Sequence, residues 1–566
     1  MLTILTYMYN MKRNKYIFAA LAGAALMAAS CTDFDDYNEA YVGDEGNNSG
    51  LTLWQNISGN EQLSDFAKLL ERTGYSEKLK ASQFYTVWAP LNGTYNYDEI
   101  AAHDSTWIMQ RFLNSHIANF NYQVTGNVDR RVHTLNEKSF ELLGSGSAYT
   151  YDGKPMMTIN QPNINGTLHT IEGYAEYFPN IYEYIYELDG CDSIASYFKK
   201  YEVNELDLDA SVEGPIVDGK QTYSDSVIIT TNYMAHDMLE ALIDDEDSSY
   251  TMLIPTDEAF KKAYAAISSA YTYAPTTNYL DLSNLVALDG TVASTDYRSV
   301  DVDAAMLTDS LTKLMIAAPT VLSNNDTYNI GVFNNSMPVG IDTLHATTRM
   351  KLSNGYEVLS HTVGEPVQAS NGQLRLVDTL AYRPWDTYRP EMEYKEVAAA
   401  VDATSASSYI NLIDQRGALV TRYYNVDPAG TSVEPYVYYY LKNLRAGTYN
   451  VYVVFVSGSK PYKYNVQINF ADKDGNIVQF GDTHPFSSST LNTEDTYMTN
   501  MLDTCMIGEV TFPVSYADLG DCAPYLRIHS NRSRFGGDRQ NFDNNLKIAG
   551  VILRPVEYDE YLKKDE

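Results

Sequence analysis

Tyr250–Phe260 reads YTMLIPTDEAF, and further along Ala369–Pro384 reads ASNGQLRLVDTLAYRP. In the first stretch an apolar run breaks at Pro255 and enters a helix. Thr256 or Asp257 can accept the free backbone N–H groups of its first turn, and Ala259 and Phe260 begin its apolar face. In the second, Asn371-Gly372 makes a tight turn, and the alternation of Leu374 and Leu376 describes a half-buried strand. Both patterns occur once before, in the same order. FYTVWAPLNGTY runs from Phe84 to Tyr95 and NINGTLHTIEGYAEY from Asn163 to Tyr177. The chain therefore contains an internal repeat of an α+β unit.

Each copy opens on an amphipathic helical stretch. In LTLWQNISGNEQLSDFAKLLERTGY, from Leu51, Leu63, Phe66 and Leu70 share one face and Gly74 sits at the C-terminal cap position. In NIYEYIYELDGCDSIASYFKK, from Asn180, Ile181, Tyr184, Ile185 and Leu188 form one stripe and Ile194, Tyr197 and Phe198 another. The span from Pro255 to Gly372 is about 40 positions longer than that from Pro90 to Gly166. An insertion is expected between about Tyr271 and Asp303, as a variable surface loop or, less simply, a binding appendage. His169 lies in the strand pattern and reads as a structural histidine rather than a catalyst.

These paired signatures resemble the fasciclin domain. Ile254, Pro255, Thr256, Asp257, Glu258, Ala259 and Phe260 fit its first motif; the earlier copy keeps Ala89, Pro90 and Asn92 but has Leu91 and Gly93. Asn165, Gly166, Leu168, His169, Ile171 and Glu172 fit its second. The later copy keeps Asn371, Gly372, Leu374, Val377 and Asp378, with Arg375 in place of the histidine. His116 and Tyr122 echo the tyrosine-histidine region between the motifs. The resemblance covers roughly Leu51 to Pro384. It implies α+β units with a β-sandwich core and helices at one side, and extracellular adhesion or ligand binding without chemistry.

Ahead of the repeat, Lys12, Arg13 and Lys15 precede the apolar run Tyr16–Ser30, which ends at Cys31. As a helix that run spans ~22 Å, short of the ~30 Å hydrocarbon core, so it reads as a secretory signal. Ala28, Ala29, Ser30 and Cys31 resemble a bacterial lipobox, which implies cleavage and acylation of Cys31 and a bilayer as partner. Ordinary signal cleavage near Ala29 is the alternative. Asp33, Asp35, Asp36 and Glu39 behind it resemble a surface-export signal of outer-membrane lipoproteins, and equally suit a solvated tether.

Beyond Trp385 short strands dominate: YVYYYLKNL, GTYNVYVVFVSG, KYNVQINFAD, EVTFPVS, YLRIHS and KIAGVILRPV. Asp474-Gly475-Asn476 supplies a hairpin turn. The expected fold is an all-β antiparallel sandwich, in outline a jelly roll, with a loose resemblance to carbohydrate-binding jelly-roll modules that is an analogy of fold. The loop SNRSRFGGDRQNFDNN, Ser530–Asn545, gathers Arg532, Arg534 and Arg539 beside Asn531, Asp538, Asn541 and Phe535. Planar hydrogen-bonding groups with an aromatic suit sugar hydroxyls or carboxylates; the plainer reading is a solvated loop whose arginines pair with nearby acids. Cys505 and Cys522 can pair in an oxidising compartment, leaving Cys191 over. The resulting plan is signal 1–31, acidic tether 32–50, fasciclin-like domains 51–178 and 179–384, linker 385–407, sandwich 408–557 and charged tail 558–566.

The chain has 566 residues and a net charge of -33, which repels phosphate backbones and argues against nucleic acid as a partner. Its 48 tyrosines can stack on sugars or fill β-sandwich cores equally well. No zinc, P-loop or nucleophile-elbow motif occurs, so no catalytic residue, metal or cofactor is expected. The reading is a non-catalytic surface lipoprotein of the outer membrane that mediates adhesion or glycan binding, as an accessory of nutrient capture. The alternative is a structural stalk that contacts other surface proteins; a glycan-active enzyme stands third.

Overall fold

The computed structural model describes residues 50–80, 83–216, 219–281, 296–401, 403–413, 419–430, 433–456, 460–481, 485–488, 502–533 and 535–565. The targeting segment, Cys31 and the tether up to residue 49 lie outside the described residues. Two compact units emerge. Met1–Glu187, Leu242–Tyr250 and Val367–Leu374 form the first; Leu188–Ala241, Thr251–Pro366 and Arg375–Glu566 form the second.

The first unit carries a seven-stranded sheet in the order Ile117–Asn119, Tyr85–Pro90, Gly166–Ile171, Lys154–Asn163, Ala148–Tyr151, Ser139–Ser145, Asn127–His133. Tyr85–Pro90 and Gly166–Ile171, the two signature strands, run parallel beside the edge strand Ile117–Asn119, Tyr85 opposite Gly166 and Pro90 opposite Ile171. Parallel neighbours need a long crossover, which explains why the two signatures stand so far apart in sequence. Alternation sends Val87 and Ala89 into a core with Phe66, Leu69 and Leu70 of the helix Ser64–Arg72. Trp88 enters a second core with Phe140, Leu142 and Tyr151, stacking on Tyr151 at 4.4 Å.

The Asn-Gly pair does specific work at the start of the strand. A Cβ on Gly166 (φ 148°) would sit 1.9 Å from the Tyr85 carbonyl oxygen. Asn165 Oδ1 accepts from Leu53 N at 2.8 Å, and its Nδ2 donates to Leu79 O at 2.8 Å. Leu53 opens a helix closed by a capping box between Thr52 and Gln55. The later copy repeats every part. Asn371 Oδ1 accepts from Ile181 N at 2.9 Å and Nδ2 donates to Ile243 O at 2.8 Å. Ile181 opens a helix with an Asn180–Glu183 capping box, and a Cβ on Gly372 (φ 144°) would lie 1.9 Å from Tyr250 O.

In the second repeat a four-stranded sheet runs in the order Val321–Ser323, Tyr250–Pro255, Gly372–Val377, Thr362–Ala369. Thr256 caps the helix Asp257–Ile267, accepting from Ala259 N at 3.2 Å. Asp257 instead reaches back to cap Asp192–Lys199, accepting from Ser193 N at 2.7 Å. Asn92 does the same in the earlier copy, accepting from Asp65 N at 3.1 Å. The position after Pro-Thr therefore pins the preceding helix in both copies, through Asp257 in one and Asn92 in the other, even where Thr256 is matched by Leu91.

The expected insertion is an antiparallel ribbon, Thr276–Asp281 with Asp296–Asp301. It is no free surface loop. Asn278 donates from N and Nδ2 to Gly475 O at 3.1 and 2.9 Å, and Tyr279 packs against the sandwich core. Gly475 (φ 82°) is the centre of the predicted hairpin turn, and a Cβ there would meet Thr276 O at 1.7 Å. One glycine thus serves both the turn and the docked ribbon. A further ribbon, Glu202–Glu213 with Tyr223–Asn232, went unread in the sequence.

The C-terminal region is an antiparallel sandwich. One sheet has the order Ala403–Ile413, Leu419–Pro428, Leu546–Pro555, Gly447–Val456, Leu502–Phe512; the other runs Ala399–Val401, Tyr436–Tyr440, Tyr525–Ser530, Lys463–Ala471, Ile477–Gly481. Val451, Val453 and Phe455 from the first face Val437, Tyr439, Val466, Leu526 and Ile528 from the second across one core. Two expectations are corrected. Within 385–407, Met392–Tyr394 and Ala399–Val401 are edge strands rather than linker, their three-residue pairings too short to show a period. The charged tail is a helix, Val556–Asp565, held by the buried Asp559, whose carboxylate takes hydrogen bonds from Asn450, Tyr452 and Arg554. Those bonds hold the Asp559 carboxyl below its ordinary value against the opposing effect of burial.

Candidate functional site

The strand YVYYY alternates: Val437 and Tyr439 turn inward, Tyr436, Tyr438 and Tyr440 outward. YLRIHS beside it buries Leu526 and Ile528 and turns Tyr525, Arg527 and His529 outward. KYNVQINFA packs Tyr464, Val466 and Ile468 into the core and sets Asn465, Gln467 and Asn469 on the opposite face, where Gln467, Asn469 and the neighbouring Tyr525 are nonetheless buried. Register then assembles rows across the sheet: Tyr436–His529–Asn465, Tyr438–Arg527–Gln467, and Tyr440–Tyr525–Asn469–Gln479.

The rows are internally ordered. Tyr436 and His529 stack at 4.0 Å and 3°, with the Arg527 guanidinium 5.2 Å from the Tyr436 ring. His529 Nε2 lies 3.3 Å from Glu434. Gln467 Nε2 donates to Asn469 at 2.8 Å and to Gln479 at 2.7 Å, so the amides form a chain. The docked ribbon borders one end of the face, where Leu280 clusters with Tyr438, Tyr440 and Tyr525. The predicted loop borders the other, where Asn531 Nδ2 donates to Asn465 at 2.8 Å. The half-buried part of the face, Tyr436, Tyr438, Tyr440, His529, Arg527 and Asn465, can stack on a flat ring and bond its hydroxyls without doing chemistry.

The loop residues separate by role. Arg532 spends its guanidinium on the Phe542 and Arg539 carbonyls at 2.9 and 3.1 Å. Asp538 pairs with Lys463 at 2.8 Å; that hydrogen bond and the one from Ser533 N depress its carboxyl pKa. Phe535 is 72% exposed and Arg539 is exposed. Arg534 lies outside the described residues. Asn531 thus joins the face, Arg532 and Asp538 shape the loop, and Phe535 and Arg539 are exposed side chains. No disulfide joins Cys505 to Cys522, and Cys191 is likewise outside any disulfide. Cys522 is buried in the sandwich core and its thiol is pushed up to about 12, whereas Cys505 lies half-buried at that core's margin.

The two buried histidines of the first repeat are structural. His169 accepts from Asn160 N at 3.2 Å and donates from Nε2 to Tyr122 O at 3.0 Å, stacked on Trp88 at 5.7 Å. His116 accepts from Ala175 N at 2.9 Å and donates from Nδ1 to Phe112 O at 2.7 Å. Burial lowers both to about 4, so both are neutral at pH 7. Among the described residues, no group of three or more His, Cys, Asp or Glu side chains is placed to hold a metal ion. No described helix is long and apolar enough to cross a membrane.

The family model of the fasciclin domain matches residues 61–174. No curated protein matches the chain. Among solved structures, a FAS1 domain pair from the insect cell adhesion molecule Fasciclin I is similar at 14% identity, over 58% of this chain and 99% of that one, with a TM-score of 0.20. A family 35 carbohydrate binding module from Clostridium thermocellum is similar at 12% identity, over 29% and 98%, with a TM-score of 0.18. A Paenibacillus xanthan lyase is similar at 15% identity over 33% of this chain and 16% of its own, with a TM-score of 0.20. At such scores none of these likenesses bears on the ligand.

Proposed function

We propose that the chain, which carries a fasciclin domain at residues 61–174, is a non-catalytic glycan-binding or adhesive protein held at the cell exterior by acyl chains on Cys31. The second repeat is read as a further fasciclin-like domain, on the strength of the Asn371, Gly372 and Asp257 contacts that copy those of Asn165, Gly166 and Asn92. The ligand surface is the outward face of the sandwich sheet. The observation that carries it is the register placing Tyr436, Tyr438 and Tyr440 in rows with His529, Arg527, Asn465 and Gln467. A sandwich needs only one buried side per sheet, so polar-aromatic rows on the other side are free to be selected for a ligand. A glycan array probed with the chain from Leu51 onward tests this. Binding to defined glycans that is lost in Tyr436→Ala/Tyr438→Ala supports it; an empty array refutes it. Membrane-fraction labelling with radioactive palmitate, abolished by Cys31→Ala, tests the anchor.

A further inference from the structure

The first repeat holds a second candidate site, independent of the sandwich. An open cleft of about 230 Å³, room for about one sugar ring, is lined by Glu99, His103, Trp107, Arg111, Glu176 and Tyr177, among others. Its wall is an interrupted helix: Ser105–Trp107 leads directly into a π-helical turn, Ile108–Leu113, a distortion often found at functional sites. Trp107 is half-buried, and His103 covers one face of its indole at 3.6 Å and 12°. Arg72 fixes that support by donating to the His103 and Ala101 carbonyls at 2.7 and 2.6 Å.

We propose that this cleft binds an uncharged pyranose ring, which lies on Trp107 and bonds Glu99 and Glu176 through its hydroxyls. The chemistry selects among ligand classes. Exposed carboxylates at Glu99 and Glu176 repel anions, and Arg111 is already bonded to Glu187. A quaternary ammonium needs several open ring faces. Arg111 and Lys138 lie 5.0 and 5.2 Å from the Tyr177 ring, and Tyr174 packs against Phe112 and Tyr95 at 5.8 and 6.4 Å. One supported indole beside acceptor oxygens suits the flat C–H face of a sugar.

The test uses the full chain carrying Tyr436→Ala/Tyr438→Ala, so that the sandwich face is disabled whatever its role. Titration calorimetry runs through neutral gluco-, manno-, xylo- and galacto-oligosaccharides, with choline and an oligogalacturonate alongside. Binding of a neutral oligosaccharide is expected, weakened at least about tenfold by Trp107→Ala and measurably by the surface change Glu176→Ala. No neutral sugar bound, preference for choline or the uronate, or equal affinity in both added variants overturns the proposal.

Discussion

Acidification should unlock the first repeat through its two buried histidines. His116 and His169 have an ordinary value of 6.5 and are lowered to about 4 by burial. Between those values the unfolded chain binds protons that the folded chain refuses, so stability is complete above about pH 6.5 and is lost as pH falls toward 4. A shift of about 2.5 units corresponds to about 3 kcal/mol per histidine, at about 1.36 kcal/mol per unit. Two such groups approach the whole stability of an ordinary domain, about 5–15 kcal/mol. Asp152 works against this at the acid end: burial raises its carboxyl, so its protonation favours the folded state. The assay is urea unfolding from pH 4.5 to 8, followed by the fluorescence of the buried Trp88 beside His169. His116→Gln keeps a neutral donor and acceptor and should flatten the slope by about half while lowering the plateau. A flat profile in the parent, or an unchanged slope in His116→Gln and His169→Gln, refutes the reasoning.

The repeat makes matched predictions. Gly166→Ala and Gly372→Ala should each cost about 2–4 kcal/mol in denaturant titrations, through strained backbone and the clash with the Tyr85 or Tyr250 carbonyl. Gly146→Ala, with φ 66° and nothing near its Cβ, should cost only about 1 kcal/mol. Asp559→Ala removes the acceptor shared by Asn450, Tyr452 and Arg554, with Glu391 still paired to Arg554, and should cost about 1–3 kcal/mol, read as faster hydrogen exchange in Val556–Asp565 and the adjoining strand Gly447–Val456. Phe535→Ala should leave the melting temperature unchanged, because the ring is 72% exposed.

The repeat was legible because the Asn-Gly turn and the apolar alternation after it are local signals, whereas the partners of Asn165 and Asn371, Leu53 and Ile181 among them, lie far along the chain and could not be read. The strands of the sandwich were legible where alternation is apolar, as in Tyr449, Val451, Val453 and Phe455. Ala403–Ile413 and Leu419–Pro428 escaped because ATSASSYINLI and LVTRYYNVDP carry no sustained apolar period. The outward face was half visible: YVYYY declares a strand, yet which tyrosines meet Arg527 and Gln467 depends on register with strands far along the chain. The ribbon's docking was hidden for the same reason, since nothing in Asn278 points to Gly475. The loop Ser530–Asn545 drew notice by its arginines, but Arg532 is spent on carbonyls that composition cannot reveal. Trp107, Arg111, Glu176 and Tyr177 converge only once the sheet has brought both ends of the first repeat together.

The account stands or falls on whether the sandwich face holds a glycan. Affinity electrophoresis of the chain from Leu51 onward, carrying Trp107→Ala to silence the cleft of the first repeat, through gels containing each of a broad set of polysaccharides, measures this directly. Retardation by at least one of them, abolished in Tyr436→Ala/Tyr438→Ala and unaccompanied by release of reducing sugar, is the predicted result. Unhindered migration through every gel, or retardation that survives the double substitution, contradicts it.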